Sequence, residues 1–143
     1  MSHEPVKVEI FDLGLLIRRK SEGGQLPDAY HARAVFRTRG LTASLTTLVD
    51  LTPAEIEDLL QQIETQYGDF RQAVAWRSAD GLLDLGWQLD ELGHAAGRIR
   101  LEDPMGEWRL DAPLVGDQSY LPQMALGLRL LLRPEDWHPP AAD

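Results

Sequence analysis

"DLTPAEIEDLLQQIETQYGDF", residues 50–70, decides how the rest of the chain is read. Thr52 can cap a helix, Pro53 suits its first position, and Glu55 completes a T-x-x-E capping box, in which each side chain accepts from the other's backbone N–H. Ile56, Leu59, Leu60, Ile63 and Tyr67 recur at helical spacing, so the stretch predicts an amphipathic helix with Glu57, Asp58, Gln61 and Glu64 facing water. Gly68 is the expected stop, in a left-handed conformation. A helix here divides the remaining chain into two segments, and both alternate.

Upstream, "VKVEIF" (6–11) sets Val6, Val8 and Ile10 against Lys7 and Glu9, the period of two of a half-buried strand, and "LGLLIRR" (13–19) is its expected neighbour. "KSEGGQLPD" (20–28) reads as a loop. In "AYHARAVFRT" (29–38), Tyr30, Ala32, Ala34 and Phe36 share one face and His31, Arg33 and Arg37 the other. "LTASLTTLV" (41–49) is rich in β-branched residues, and Arg39 and Gly40 suit a tight hairpin before it.

Downstream, Asp80-Gly81 in "RQAVAWRSADGLLDLGWQL" (71–89) is the pair that favours a two-residue hairpin turn. Leu83, Leu85, Trp87 and Leu89 then oppose Asp84, Gln88 and Asp90. After the turn "DELG" (90–93), "HAAGRIRL" (94–101) sets Ala95, Ile99 and Leu101 against His94, Arg98 and Arg100, and "GEWRLDAPLV" (106–115) sets Trp108, Leu110 and Ala112 against Glu107, Arg109 and Asp111. The final stretch "SYLPQMALGLRLLLR" (119–133) predicts a helix capped near Ser119, with Pro122 in its first turn and a stripe of Leu121, Met124, Ala125, Leu128, Leu131 and Leu132. Gly127 costs about 1 kcal/mol relative to alanine inside a helix, which points to close packing there. Pro134 marks the stop, and residues 134–143 read as a tail. The fold expected is α+β: an antiparallel sheet of about eight strands in two meander-like halves, packed against two amphipathic helices in the order ββββαββββα. It forms one domain over residues 1–143, ordered from about 5 to 133.

Composition narrows the chemistry. A chain of 143 residues can bury one substantial core without metals or disulfides. It has no cysteine, which excludes disulfides, thiolate metal sites and thiol catalysis. The N-terminus lacks a basic run followed by an apolar segment, and the apolar block "ALGLRLLL" (125–132) is far short of the ~20 residues that span a bilayer. A cytoplasmic location is the expectation.

Net charge is −9. Residues 1–40 carry seven Lys/Arg against five Asp/Glu, while the other 103 carry seven against eighteen, so the acidic excess lies downstream. Such a field repels nucleic acid phosphates and anionic lipid, and favours a basic partner. Neither nucleic acid nor membrane is expected as a partner.

Candidate catalytic groups are weak. His3, His31, His94 and His138 show no metal-ligand spacing, and His94 opens a strand where it can hydrogen-bond to Asp90 or Glu91. Asp84, Asp90, Glu107 and Asp111 could pair as carboxylates, but they share a sheet face with Arg77, Arg98, Arg100 and Arg109, which reads as a cross-strand charge ladder. Ser44, Ser78 and Ser119 lack a nucleophile-elbow setting, and no phosphate loop is present. Trp87 shares its face with three leucines, as a core residue would. No catalytic residue, metal or cofactor is expected.

The layout resembles the WapI-type bacterial immunity proteins and a related uncharacterised bacterial family. The resemblance runs from "DLTPAEIEDLLQQI" through "FRQAVAWRSADGLLDLGWQLDELGHAAGRIRL" to "GEWRLDAPL" and the last helix. It rests on the W-x-S-x-D-G-x-L turn beginning at Trp76, the Gly93-His94 pair opening a strand, and the tryptophan strand at Trp108. It implies a non-enzymatic protein that occludes a cognate secreted toxin. Charge adds that the toxin is basic, such as one directed at nucleic acid. The contact residues expected first are Asp80, Glu102, Asp103 and Glu107, at one end of the second meander, with Glu57 and Asp58 on the first helix in reserve. The alternative is a small hydrophobic-ligand carrier or an accessory subunit of a larger complex.

Overall fold

The structure, a computed structural model, describes residues 6–20, 29–37 and 45–132. Strands β1 (Val6–Ile10), β2 (Leu13–Lys20), β3 (Ala29–Phe36) and β4 (Leu45–Leu51) form one antiparallel sheet in sequence order. Helix α1 (Pro53–Gly68) follows, and then β5 (Val74–Arg77), β6 (Leu83–Leu89), β7 (His94–Glu102) and β8 (Arg109–Asp117) form a second sheet, also in sequence order. A 3-10 turn (Gln118–Tyr120) leads into helix α2 (Leu121–Leu132). This is the expected α+β order ββββαββββα. The tight hairpin at Arg39-Gly40 and the tail lie outside the described residues, as does the loop expected at 20–28 except for Lys20, which ends β2.

Period-two patterning builds both sheets. Val8, Leu15 and Ala34 face one another across β1, β2 and β3, as do Ile17, Ala32 and Val49 across β2, β3 and β4, and all six are buried. Alanines on β3 opposite large residues on β2 leave room for a covering layer. In the second sheet Val74, Leu85, Trp87, Ile99, Ala112 and Leu114 turn inward. One contiguous core contains these faces and the apolar stripes of both helices.

Each helix is tied to the sheet of the other half. From α1, the Glu55 carbonyl accepts from Trp76 Nε1 (2.9 Å), Gln62 Oε1 from the Ala75 N–H (2.8 Å) and Gln66 Oε1 from Trp87 Nε1 (2.6 Å). Conversely, the carbonyl of Leu131 in α2 accepts from the Tyr30 hydroxyl on β3 (3.0 Å). Gly127 brings α2 onto β1: an added Cβ would meet Val8 Cγ2 at 3.0 Å. The two halves therefore interlock, and neither sheet is covered by its own helix alone.

Phe11 joins the halves at another point. It forms the β1–β2 turn with a φ of 56°, in the left-handed region that costs a bulky residue roughly 1–2 kcal/mol. Its ring stands edge-on to Trp87, with centroids 5.2 Å apart, and fills the space over Gly116 that a Cβ would need. That apolar contact offsets the backbone strain.

Four local expectations are corrected. The α1 stripe ends on Gln66, which is fully buried, whereas Tyr67 is 60% exposed. Burial at this turn goes to the side chain that can satisfy the Trp87 indole. Gly68 is not left-handed; Asp69 caps the helix in an extended conformation, its N–H donating to the Thr65 carbonyl. Asp117, not Ser119, provides the cap at the second helical segment, accepting from the Ser119 N–H at 2.9 Å, and α2 itself starts at Leu121. The β5–β6 connection is not a two-residue turn: Ser78 pairs with Leu83 around a four-residue loop, Ala79 to Leu82. The capping box at Thr52 and Glu55 forms as expected.

Candidate functional surface

Asp80 explains the loop length. Its Oδ1 accepts from the Ser78 hydroxyl (2.6 Å) and the Leu82 N–H (3.1 Å), while its Oδ2 accepts from the Asp50 N–H at the end of β4 (3.1 Å). The carboxylate thus shapes its own turn and links the two sheets. Replacing Asp80 with alanine is expected to cost about 1–2 kcal/mol, because the buried Ser78 hydroxyl and the Leu82 N–H lose their shared acceptor. Urea denaturation checks this, and an unchanged midpoint would remove Asp80 from the link.

Asp103 likewise shapes its own turn. Its Oδ2 accepts from the Met105 and Glu107 N–H groups (3.2 and 3.3 Å), and Gly106 completes the turn at a φ of 74°. Glu102 lies 3.8 Å from Arg109. Glu107 is exposed beside it. The structure brings the Asp80 loop and this turn to one end of the second sheet, where the Glu102 N–H donates to the Leu82 carbonyl (2.8 Å). Two of the four first-choice carboxylates are therefore engaged by their own turns, which sequence spacing alone does not reveal.

The expected charge ladder forms in part on the outer face of this sheet: Asp90 and Glu107 lie outside the strands, and Arg98 stands opposite Gly86 and Pro113. Arg100 stands between Asp84 and Asp111 in register and donates to Asp84 at 3.1 Å, while Arg109 donates to Asp111 at 2.8 Å. These carboxylates do not converge in a cleft. His94 takes the expected partner: Asp90 accepts its backbone N–H at 2.8 Å and lies 3.3 Å from Nδ1. Trp108 sits one residue before β8, half-buried against the core. Among the described residues no group of three or more His, Asp or Glu could hold a metal ion.

Three aspartates at chain turns sit below the usual carboxylate range. The backbone N–H of His94 holds Asp90 down most strongly, that of Ser119 holds Asp117, and that of Arg71 holds Asp69. A depressed folded-state value means the stabilisation is complete above the unfolded pKa of about 4 and is lost as pH falls through the folded values. Melting temperature should therefore drop below about pH 4, and Asp90→Asn should flatten that drop. A melting series from acid to neutral pH that is identical for wild type and variant would contradict the assignment.

The reserve residues occupy a different setting. Helix α1 carries Glu55, Glu57, Asp58 and Glu64 and no lysine or arginine. Glu55 is used in the capping box and by the Ala79 N–H, and Glu64 pairs with Arg129 at 3.2 Å. Glu57 and Asp58 are exposed, with Asp58 accepting only from its helical neighbour Gln62. Beside Glu57 a groove of about 790 Å³ runs between the helices, lined by Leu60, Leu126, Leu130 and Leu132 and edged by Glu57, Gln61, Glu64, Thr65 and Arg129; Asp58 lies outside it. Leu126 is 50% exposed there.

The outer faces of the sheets carry exposed charge of both signs, whereas α1 carries one sign alone. Described cations stand mostly on the outer faces of the sheets, as with Lys7, Arg18, Arg33, Arg77 and Arg98, while α1 is acidic only. The alternation of β3 and β7 made this legible. No helix among the described residues is long and apolar enough to cross a membrane.

No family model matches the sequence, and no curated protein matches it. Among solved structures the chain is similar to one described as "Crystal structures of trypanosoma bruciei MRP1/MRP2", at 11% identity over 92% of this chain and 83% of that one, with a TM-score of 0.50. At that identity the likeness is one of fold.

Proposed function

We propose that this is a non-enzymatic immunity protein that acts in the cytoplasm by binding and occluding a basic secreted bacterial toxin, such as one directed at nucleic acid. The observation that carries the proposal is that α1 bears carboxylates and no lysine or arginine, with Glu57 exposed at the edge of a groove lined by leucines and Asp58 exposed next to it in sequence. Apolar contact ringed by charge is the make-up of a protein interface: the leucines supply desolvation, and the carboxylates steer a cationic partner and fix its register. The resemblance to WapI-type proteins supplies the toxin, and net charge supplies its sign. Asp80, Glu102, Asp103 and Glu107 form a second acidic rim that extends the contact. No cofactor, nucleic acid or membrane is needed.

Co-purification from the native host tests this, using wild type and the double variant Glu57→Lys, Asp58→Lys. Wild type is expected to retain a basic protein whose expression alone arrests growth, and co-expression should restore growth. The double variant should restore it poorly while melting like wild type. A captured partner that is harmless when expressed, or equal rescue by the variant, would contradict the proposal.

A further inference from the structure

The outer face of the first sheet holds a feature that partner binding through α1 leaves unused. A cleft of about 490 Å³ opens there, floored by Gly14, Leu16 and Val35 and bounded by Phe11, Arg33 and Arg37. Across the strands, Glu9, Gly14 and Val35 align in one row, and Lys7, Leu16 and Arg33 in the next. Gly14 makes the hollow, because its neighbours in the row project side chains and it has none.

The fold does not demand glycine at this position. Gly14 has no positive φ, and an added Cβ would meet only the Val35 carbonyl oxygen, at an ordinary 3.7 Å. Glycine inside a strand costs roughly 0.5–1 kcal/mol relative to alanine. By contrast, Gly97 and Gly116 are enforced by clashes of an added Cβ with a neighbouring backbone or ring. The glycine at 14 therefore keeps a space open rather than relieving a contact.

The charges around that space are unbalanced. Lys7 is paired with Glu9 at 3.0 Å, so these two cancel. Arg33 and Arg37 are exposed with no side-chain partner among the described residues, against one carboxylate, Asp12, and Arg18 stands one row further on. In a protein of net charge −9 this is a locally cationic, partly apolar hollow of the size that takes a small ligand. Guanidinium groups match oxyanions through paired N–H donors.

We propose that this cleft binds a small amphiphilic organic anion, with its carboxylate or phosphate on Arg33 and Arg37 and its apolar body over Gly14, Leu16 and Val35. The site is independent of the α1 surface. The test uses 8-anilinonaphthalene-1-sulfonate as fluorescent probe on the full chain, with decanoate, decyl phosphate and decanol as competitors. One saturable site is expected. Its Kd should rise at least tenfold in Arg33→Gln, Arg37→Gln, and decanoate or decyl phosphate should displace the probe while decanol does not. The more effective competitor identifies the headgroup. Gly14→Val should abolish binding without lowering the melting temperature, since it fills the hollow and restores a strand-forming residue. Wild-type affinity in both variants, or displacement by decanol as readily as by the anions, would overturn the proposal.

Discussion

Gly97→Ala should destabilise the protein by about 3 kcal/mol, at the upper end of what overpacking costs, and lower its melting temperature by roughly 10 °C. Gly97 lies on the inward face of β7, between Ala95 and Ile99, and pairs with Trp87 and Leu114. A Cβ there would overlap the Gly86 carbonyl oxygen and lie 2.6 Å from Trp87 Cα. Those are backbone atoms, so no rotamer change relieves the overlap, and β6 must move away from β7. Trp87 moves with β6, which also disturbs its hydrogen bond to Gln66 and its contact with Phe11. Gly14→Ala is the matched control, because it adds the same methyl where it meets only ordinary contact, and should leave stability unchanged or raised. Urea denaturation of the pair checks the claim; equal midpoints would show that the close approach of β6 to β7 is not a constraint.

Gln66→Leu should cost a similar amount for a different reason. Gln66 is fully buried, its Oε1 accepting from Trp87 Nε1 at 2.6 Å and its Nε2 donating to the Gln72 carbonyl at 2.9 Å. Leucine keeps the apolar volume but strands the indole N–H and a backbone carbonyl. Each unsatisfied buried group costs about 1–3 kcal/mol, so a loss of about 3 kcal/mol is expected. Trp87→Phe removes the stranded donor, and the two substitutions together should therefore cost less than their sum by at least about 1 kcal/mol. Strict additivity in that double-mutant cycle would mean the hydrogen bond contributes nothing. The interaction ties α1 to the second sheet, so its loss should also loosen the interlock between the halves.

Much of this architecture was legible in the chain. Alternation placed the inward residues of β3, β6, β7 and β8, and the capping box fixed the start of α1. Gly127, out of place in a helix interior, pointed to the close approach that Val8 provides. What was not legible depended on contacts distant in sequence. Gln66 and Tyr67 are adjacent on the helix, and the apolar residue looks like the buried one until Trp87 requires an acceptor. The Asp80-Gly81 pair signals a turn, but its length follows from the buried Ser78 hydroxyl and from the Asp50 N–H across the sheet boundary. Candidate site residues suffered from the same blindness. Asp80 and Asp103 looked like free surface charge, whereas their oxygens organise turns; Glu57 and Asp58, held in reserve, are exposed without a turn to organise, as is Glu107.

The exchange of helices between halves explains why the acidic surface is firmly held. Because α1 is bonded to the second sheet and α2 to the first, the groove between them has two helical walls, each anchored in the opposite half. A surface of this kind can bind without the ordering cost of a mobile loop.

The proposed attraction of a cationic protein to the carboxylates of α1 can be read from the association rate constant of the purified protein with the partner it retains, measured across ionic strength. The rate should fall steeply as salt screens the field, and should be at least tenfold lower at low salt for the triple reversal Glu57→Lys, Asp58→Lys, Glu64→Lys. A rate indifferent to salt, or one that the triple reversal leaves unchanged, would contradict it.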